Sequence, residues 1–135
     1  MVVDSSALVA ILFGEAEADR FVDAIAEAEP RLISAANLLE AAIVVDNQLG
    51  FAAGRQLDRF VEQARIEIEP VTEEQVRIAR QAYVDYGRGN HPAGLNFGDC
   101  FAYALAKAAG EPLLFKGEDF ARTDIRPYRS ASGEP

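Results

Sequence analysis

The opening stretch Met1-Val2-Val3-Asp4-Ser5-Ser6-Ala7-Leu8-Val9-Ala10-Ile11-Leu12 constrains the fold more than any other part of the chain. An apolar run reaches one carboxylate, passes two hydroxyls and resumes as a second apolar run. That is the order of a buried strand, a turn and a covering helix, the first unit of a parallel α/β sheet. The crevice at the carboxyl ends of such strands is where the chemistry of these sheets gathers, and Asp4 stands at that end of the first strand. The competing reading makes Asp4 an ordinary turn acid.

The rest of the chain repeats the strand and helix pattern. Ser5 or Ser6 caps a first helix ended by Gly14. Glu15 to Ala28 reads as an amphipathic helix with Ala18, Phe21, Val22 and Ile25 inward. Arg31 to Ser34 is a short strand, and Ser34 caps a helix from Ala35 to about Leu49. Within it Asn37 to Val45 is apolar nearly all round, which predicts burial, with Glu40 as the sole charge. Phe51 to Ala64 is a further helix, and Ile66 to Pro70 alternates like a strand near the sheet edge. Thr72-Glu73-Glu74-Gln75 opens a helix to about Tyr86, with Val76, Ala79, Ala82 and Tyr83 inward. The breaker-rich loop Gly87 to Gly94 has the length of a mobile flap. A helix from Asn96 to Gly110, a buried strand at Pro112 to Phe115 and a last strand at Ile125 and Arg126 follow. The prediction is an α/β fold: one domain over 1–129 with a mostly parallel sheet of four to five strands, helices on both faces, and a short flexible tail over 130–135.

The 135 residues, half of them hydrophobic, suit one domain with one core. The first apolar run is too short to span a bilayer and no basic leader precedes it, so a cytoplasmic protein with no membrane partner is expected. The single cysteine, Cys100, forms no internal disulfide, in keeping with a reducing compartment. A net charge of −9 argues at first against nucleic acid. Through residue 75, however, there are 15 acids and 5 bases, and the remainder holds 7 acids and 8 bases, so the second half is free to face an anion. His91 is the only histidine, which excludes a histidine-rich zinc site.

Three acids punctuate apolar segments: Asp4, Glu40 and Asp99. Glu40 either lies at an exposed helix edge or is buried and needs a positive partner. Asp99, three residues after a capping Asn96, is either a first-turn acid favoured by the helix dipole or part of a buried helix start that faces the crevice. Strand tips and helix starts meet at one end of such a sheet. Two carboxylates about 4 Å apart repel by roughly 4 kcal/mol at an effective dielectric near 20, so a cluster of them holds protons or a cation. Oxygen ligands without histidine or thiolate suit Mg²⁺ or Mn²⁺. The Lys116 to Asp124 segment adds Glu118, Asp119 and Asp124 beside Lys116 and Arg122, either as a solvated turn or as a fourth acid with bases for a phosphate.

Val2 to Leu12, Ser34 to Glu40, Leu95 to Ala106 and Pro112 to Phe120 together resemble, in order, the successive motifs of PIN-domain proteins, specifically the VapC toxins of type II toxin–antitoxin systems. The resemblance covers nearly the whole chain. It implies an endoribonuclease that needs Mg²⁺ or Mn²⁺, forms a homodimer and is held inactive by a VapB antitoxin. It implies an acidic triad of Asp4, Glu40 and Asp99, with Asp4 and Asp99 as the metal ligands and Ser6 beside the site. Gly117 stands where many members carry Asp or Asn, so Asp119 or Glu118 substitutes there or the role goes unfilled; Asp119 is taken as the fourth acid. Lys116, Arg122 and Arg88 are the bases expected to meet the RNA backbone.

Two other classes compete. A receiver-like phosphoryl-transfer domain also puts an acid after its first strand and a lysine after a late one, but it needs further acid beside Asp4, where Ser5 and Ser6 stand. A phosphatase of the haloacid dehalogenase type needs an Asp at the position of Ser6. The third reading is a catalytically silent binding partner on the same fold.

Overall fold

The computed structural model describes residues 1–130, so the tail expected over 130–135 lies outside the described residues except for Ser130. Four strands, β1 (Val2–Val3), β2 (Leu32–Ser34), β3 (Glu67–Glu69) and β4 (Leu113–Leu114), form one sheet in the order β3-β2-β1-β4. Every pairing is parallel, with Val2 opposite both Leu32 and Leu113. Among the described residues six helices flank it: α1 (Ser5–Leu12), α2 (Ala18–Glu27), α3 (Ala35–Leu49), α4 (Phe51–Gln63), α5 (Glu73–Tyr86) and α6 (Phe97–Ala109). The predicted α/β class and parallel sheet are those observed.

The strands alternate as a period of two requires. Val3, Ile33 and Leu114 face one way and pack with Leu8, Ile25, Val45 and Leu57 of α1 to α4. Val2, Leu32 and Leu113 face the other way, onto Ala82 of α5 and Tyr103 and Leu105 of α6. Both faces are thus covered, which is why β1, β2 and β4 are buried throughout while β3, at the edge, carries Glu67 and Glu69. Gly50, at φ +93°, closes α3 and opens α4 in one residue, a backbone state that other residues rarely adopt.

Several local expectations are corrected. Asp4, not Ser5 or Ser6, caps α1: its carboxylate accepts the Ser6 backbone N–H at 3.0 Å. Val22 is exposed and Ala24 is buried in its place, while Phe21 and Ile25 face inward as expected. On α5, Val76 and Tyr83 are exposed and Gln75 is buried, while Ala82 is buried as expected. The span around Glu40 is not buried all round, because Leu39 is 61% and Ile43 50% exposed. The last strand reduces to a single parallel bridge between Leu113 and Pro127, flanked by hydrogen bonds from Leu113 N–H to Arg126 O and from Tyr128 N–H to Leu113 O. The 87–94 loop is closed by its own bonds: Arg88 N–H reaches Leu95 O, Leu95 N–H reaches Tyr86 O, and Ala93 N–H reaches His91 Nδ1.

Among the described residues no helix is long and apolar enough to cross a membrane.

Candidate active site

Each acid of the predicted triad sits at a helix start or one turn in. Asp4 follows β1 directly, and its backbone N–H bonds Leu114 O at 2.9 Å, so its position is dictated by the sheet. Glu40 lies in α3, which begins immediately after β2 under a Ser34 cap. Asp99 is in the first turn of α6 within a capping box: Asn96 Oδ1 accepts the Asp99 N–H at 2.9 Å, and Asp99 Oδ2 accepts the Asn96 N–H at 3.0 Å. Asp99 therefore fulfils the capping reading and still belongs to the acidic group, because one oxygen suffices for the cap.

Asp4 is only 2% exposed, and its Oδ1 is buried without a hydrogen-bond partner. Burial pushes its carboxyl up to about 7; hydrogen bonds from the Ser6 side chain and backbone pull it down, and the charges of Asp99 and Glu40 push it further up. Burial likewise pushes the half-buried Asp99 up to about 6, aided by Asp119 and Glu40 and opposed by the Asn96 N–H and by Arg88. Asp4, Glu40, Asp99 and Asp119 thus form one electrostatic group with Arg88 at its border. The helix N-termini at Asp4 and Asp99 offset part of that repulsion.

Among the described residues Glu40 has no cationic partner, contrary to the expectation for a buried glutamate. It is half-buried, and its Oε1 accepts the Ser5 hydroxyl at 2.5 Å and the Asn37 amide at 3.3 Å. The same Asn37 Nδ2 donates to Gly98 O at 2.9 Å. A Cβ on Gly98 would lie 2.8 Å from the Glu40 Cδ, so any side chain at this position would displace the Glu40 carboxylate from where it lies. Ser5, Asn37 and Gly98 were not among the predicted site residues. An amide three residues before the sole charge of the apolar span Asn37 to Val45 is the sign the sequence offers for Asn37.

The other predicted residues separate. Asp119 is exposed just past β4 and acts on Asp99, which singles it out among the three late acids. Asp124 is taken by Lys107 at 2.7 Å and by the Tyr103 hydroxyl at 2.6 Å. Glu118 and Lys116 line a different feature, a cavity of about 990 Å³ between α2 and the segment after β4 that includes none of Asp4, Glu40 and Asp99. The Lys116 ammonium is held by Glu15 and by Glu17 at 3.5 Å, so it is not directed at the acids; its backbone N–H instead bonds Ser6 Oγ at 2.9 Å. Ser6 thereby ties the start of α1 to the end of β4. Arg122 is exposed at the end of a 3-10 turn, Phe120–Arg122. Arg88 is the base that acts on the acidic group.

The donors fit a hard divalent cation. They are all oxygens, one of them is buried and unpartnered, and their mutual repulsion is of the kind a cation relieves. Among the described residues no three histidine, cysteine or acidic side chains are gathered into a ready cage. Mg²⁺ asks for less, since it keeps several waters and takes one or two carboxylates.

Comparison with known proteins identifies the family and the fold. The PIN domain family model matches residues 1–126. Ribonuclease VapC28 of Mycobacterium tuberculosis is 53% identical over 127 residues, 93% of this chain and 96% of that protein. Ribonuclease VapC of Mycolicibacterium smegmatis is 50% identical over 125 residues, 93% of this chain and 97% of that protein. The crystal structure of Mycobacterium tuberculosis VapC20, a sarcin-ricin loop cleaving toxin, shares the fold with a TM-score of 0.77 at 18% identity, covering 96% of this chain and 98% of that one. A toxin–antitoxin complex from Klebsiella pneumoniae has a chain that matches with a TM-score of 0.69, also at 18% identity, over 94% of this chain and 97% of that one. The chain belongs to the PIN-domain family and, within it, to the VapC ribonucleases.

Proposed function

We propose that this chain is a Mg²⁺- or Mn²⁺-dependent endoribonuclease, the toxin of a type II toxin–antitoxin pair, acting in the cytoplasm. The observation that carries the reading is the Asp4 carboxylate, buried at a strand end among like charges with one oxygen unpartnered, in a chain 53% identical to a curated ribonuclease. Asp4 and Asp99 would hold the ion, with Asp119 as the fourth acid. A bound ion would supply polarisation of the phosphodiester and a more acidic water. Glu40 orients and accepts a proton from the attacking water through Oε2, since Oε1 is engaged by Ser5 and Asn37. Ser6 keeps the Asp4 turn joined to β4, and Arg88 and Arg122, both exposed, meet the RNA backbone. Lys116 contributes through the backbone N–H that holds Ser6. The net negative charge is compatible with this role because a bound ion would supply local positive charge for the phosphate whatever the global charge.

A homodimer is supported by the apolar surface beside the site, where Leu39, Ile43 and Phe97 are 61%, 50% and 79% exposed. A VapB-type antitoxin with a basic segment suits the surplus of acids in the first 75 residues. The deciding experiment compares cleavage of structured RNA by wild type and Asp4→Asn, each with Mg²⁺ and with a chelator. Cleavage by the wild type with Mg²⁺ alone is expected, and equal activity in all four arms refutes the proposal.

A further inference from the structure

We infer that Asn37 is a positioning residue for Glu40, clamping that carboxylate against the first turn of α6; the inference rests on the reading of Glu40 as a site acid. Asn37 is fully buried in α3, one turn before Glu40. Its Nδ2 donates to two acceptors on different elements, Glu40 Oε1 at 3.3 Å and Gly98 O at 2.9 Å. Both partners are acceptors, so only the –NH₂ side of the amide can face them. The opposite side, Oδ1, is buried without a hydrogen-bond partner.

That combination is unfavourable for stability alone. An orphaned buried carbonyl costs free energy, and an apolar side chain at this place in an apolar helix would avoid it. What Asn37 supplies instead is a fixed geometry between two acids. One hydrogen of its amide grips Glu40, and the other grips the carbonyl of the residue before Asp99. Ser5, the residue after Asp4, donates to the same Glu40 oxygen at 2.5 Å. Oε1 is therefore pinned from α1 and from α3, the carboxylate cannot turn about its last torsion without losing both donors, and Oε2 stays against Gly98. A leucine has the branching of asparagine without its donors, and an aspartate has its shape with a repelling charge.

The test uses the full chain with Mn²⁺ and a structured RNA, and it has two arms. In the kinetic arm, Asn37→Leu is expected to keep its melting temperature within a few degrees while kcat falls about 10- to 100-fold, the range typical when a group that orients a site ligand is removed, with KM changed less than about twofold. Asn37→Asp is the second variant and should lose at least as much. An unchanged kcat in either folded variant, or a loss confined to KM, overturns the inference. The second arm is nuclear magnetic resonance of the Asn37 side-chain amide in the metal-free wild type. Both protons should exchange slowly with water and shift on Glu40→Gln; fast exchange or no shift overturns the clamp. If the wild type cleaves no RNA, the functional reading fails while the amide resonances still judge the contact.

Discussion

Replacing Asp4 by asparagine should stabilise the metal-free protein at alkaline pH, and the size of the effect follows from the burial of one carboxyl. The ordinary value for Asp4 is 3.8, and in the fold it is pushed up to about 7, chiefly by burial. Below about pH 4 the group is protonated whether the chain is folded or not and contributes nothing to the balance. Between there and about pH 7 the unfolded chain gives up the proton that the folded chain keeps, so stability falls as pH rises. Above about 7 the full penalty is present, on the order of 4 kcal/mol at about 1.36 kcal/mol per pH unit. Asparagine keeps the shape and caps a helix about as well as aspartate, so the bond from the Ser6 N–H survives.

Asp4→Asn should then be more stable than wild type at pH 8 in chelator by up to ~4 kcal/mol, a rise in melting temperature of more than about 10 °C. The gap should close toward pH 4. Addition of Mg²⁺ should raise the melting temperature of the wild type and not of the variant, because a cation bound only by the folded state stabilises it by mass action. Thermal unfolding followed by circular dichroism at pH 4, 6 and 8, with and without Mg²⁺, checks all of these. A variant no more stable than wild type at pH 8, or a gap that does not vary with pH, refutes the reasoning.

Three further outcomes are expected. Gly98→Ala forces a Cβ against the Glu40 carboxylate and should cost about 1–3 kcal/mol in stability by overpacking, together with at least tenfold in RNA cleavage, as read by denaturant unfolding and initial rates. Ile43→Asp places a charge on a residue that is already 50% exposed; sedimentation should show a shift to monomer while monomer stability changes by less than about 1 kcal/mol. Leu8→Ala empties a side chain of 0% exposure that packs in the core with Val3 and Ile33, and urea unfolding should register a loss of about 2–5 kcal/mol.

Much of the chain could be read without coordinates, and the reasons are local. The turn from β1 into α1, the Ser34 cap, the Asn96 cap and the glycine after α6 each depend on residues within one helical turn. The triad was legible for the same reason, since each acid interrupts an apolar stretch whose period already names its element. Errors arose where the same residues fit two faces. Val22, Val76 and Tyr83 have the spacing of a core stripe, yet the helices turn neighbouring residues inward, because the sheet and adjoining helices, not helical periodicity, decide which stripe is covered.

By itself, then, the order of apolar runs, caps and carboxylates determined a parallel α/β sheet with Asp4 after its first strand, Asp99 at a helix start and Glu40 within a helix, since backbone propensity and burial act residue by residue along the chain. Packing between elements far apart in sequence decided the rest. It set Asp124 against Lys107 and Tyr103 and left Asp119 acting on Asp99. It brought Gly98 of α6 against Glu40 of α3, which no spacing within either helix encodes. It also buried one oxygen of Asp4 without a partner, because the desolvation of a carboxylate depends on every element that closes over it.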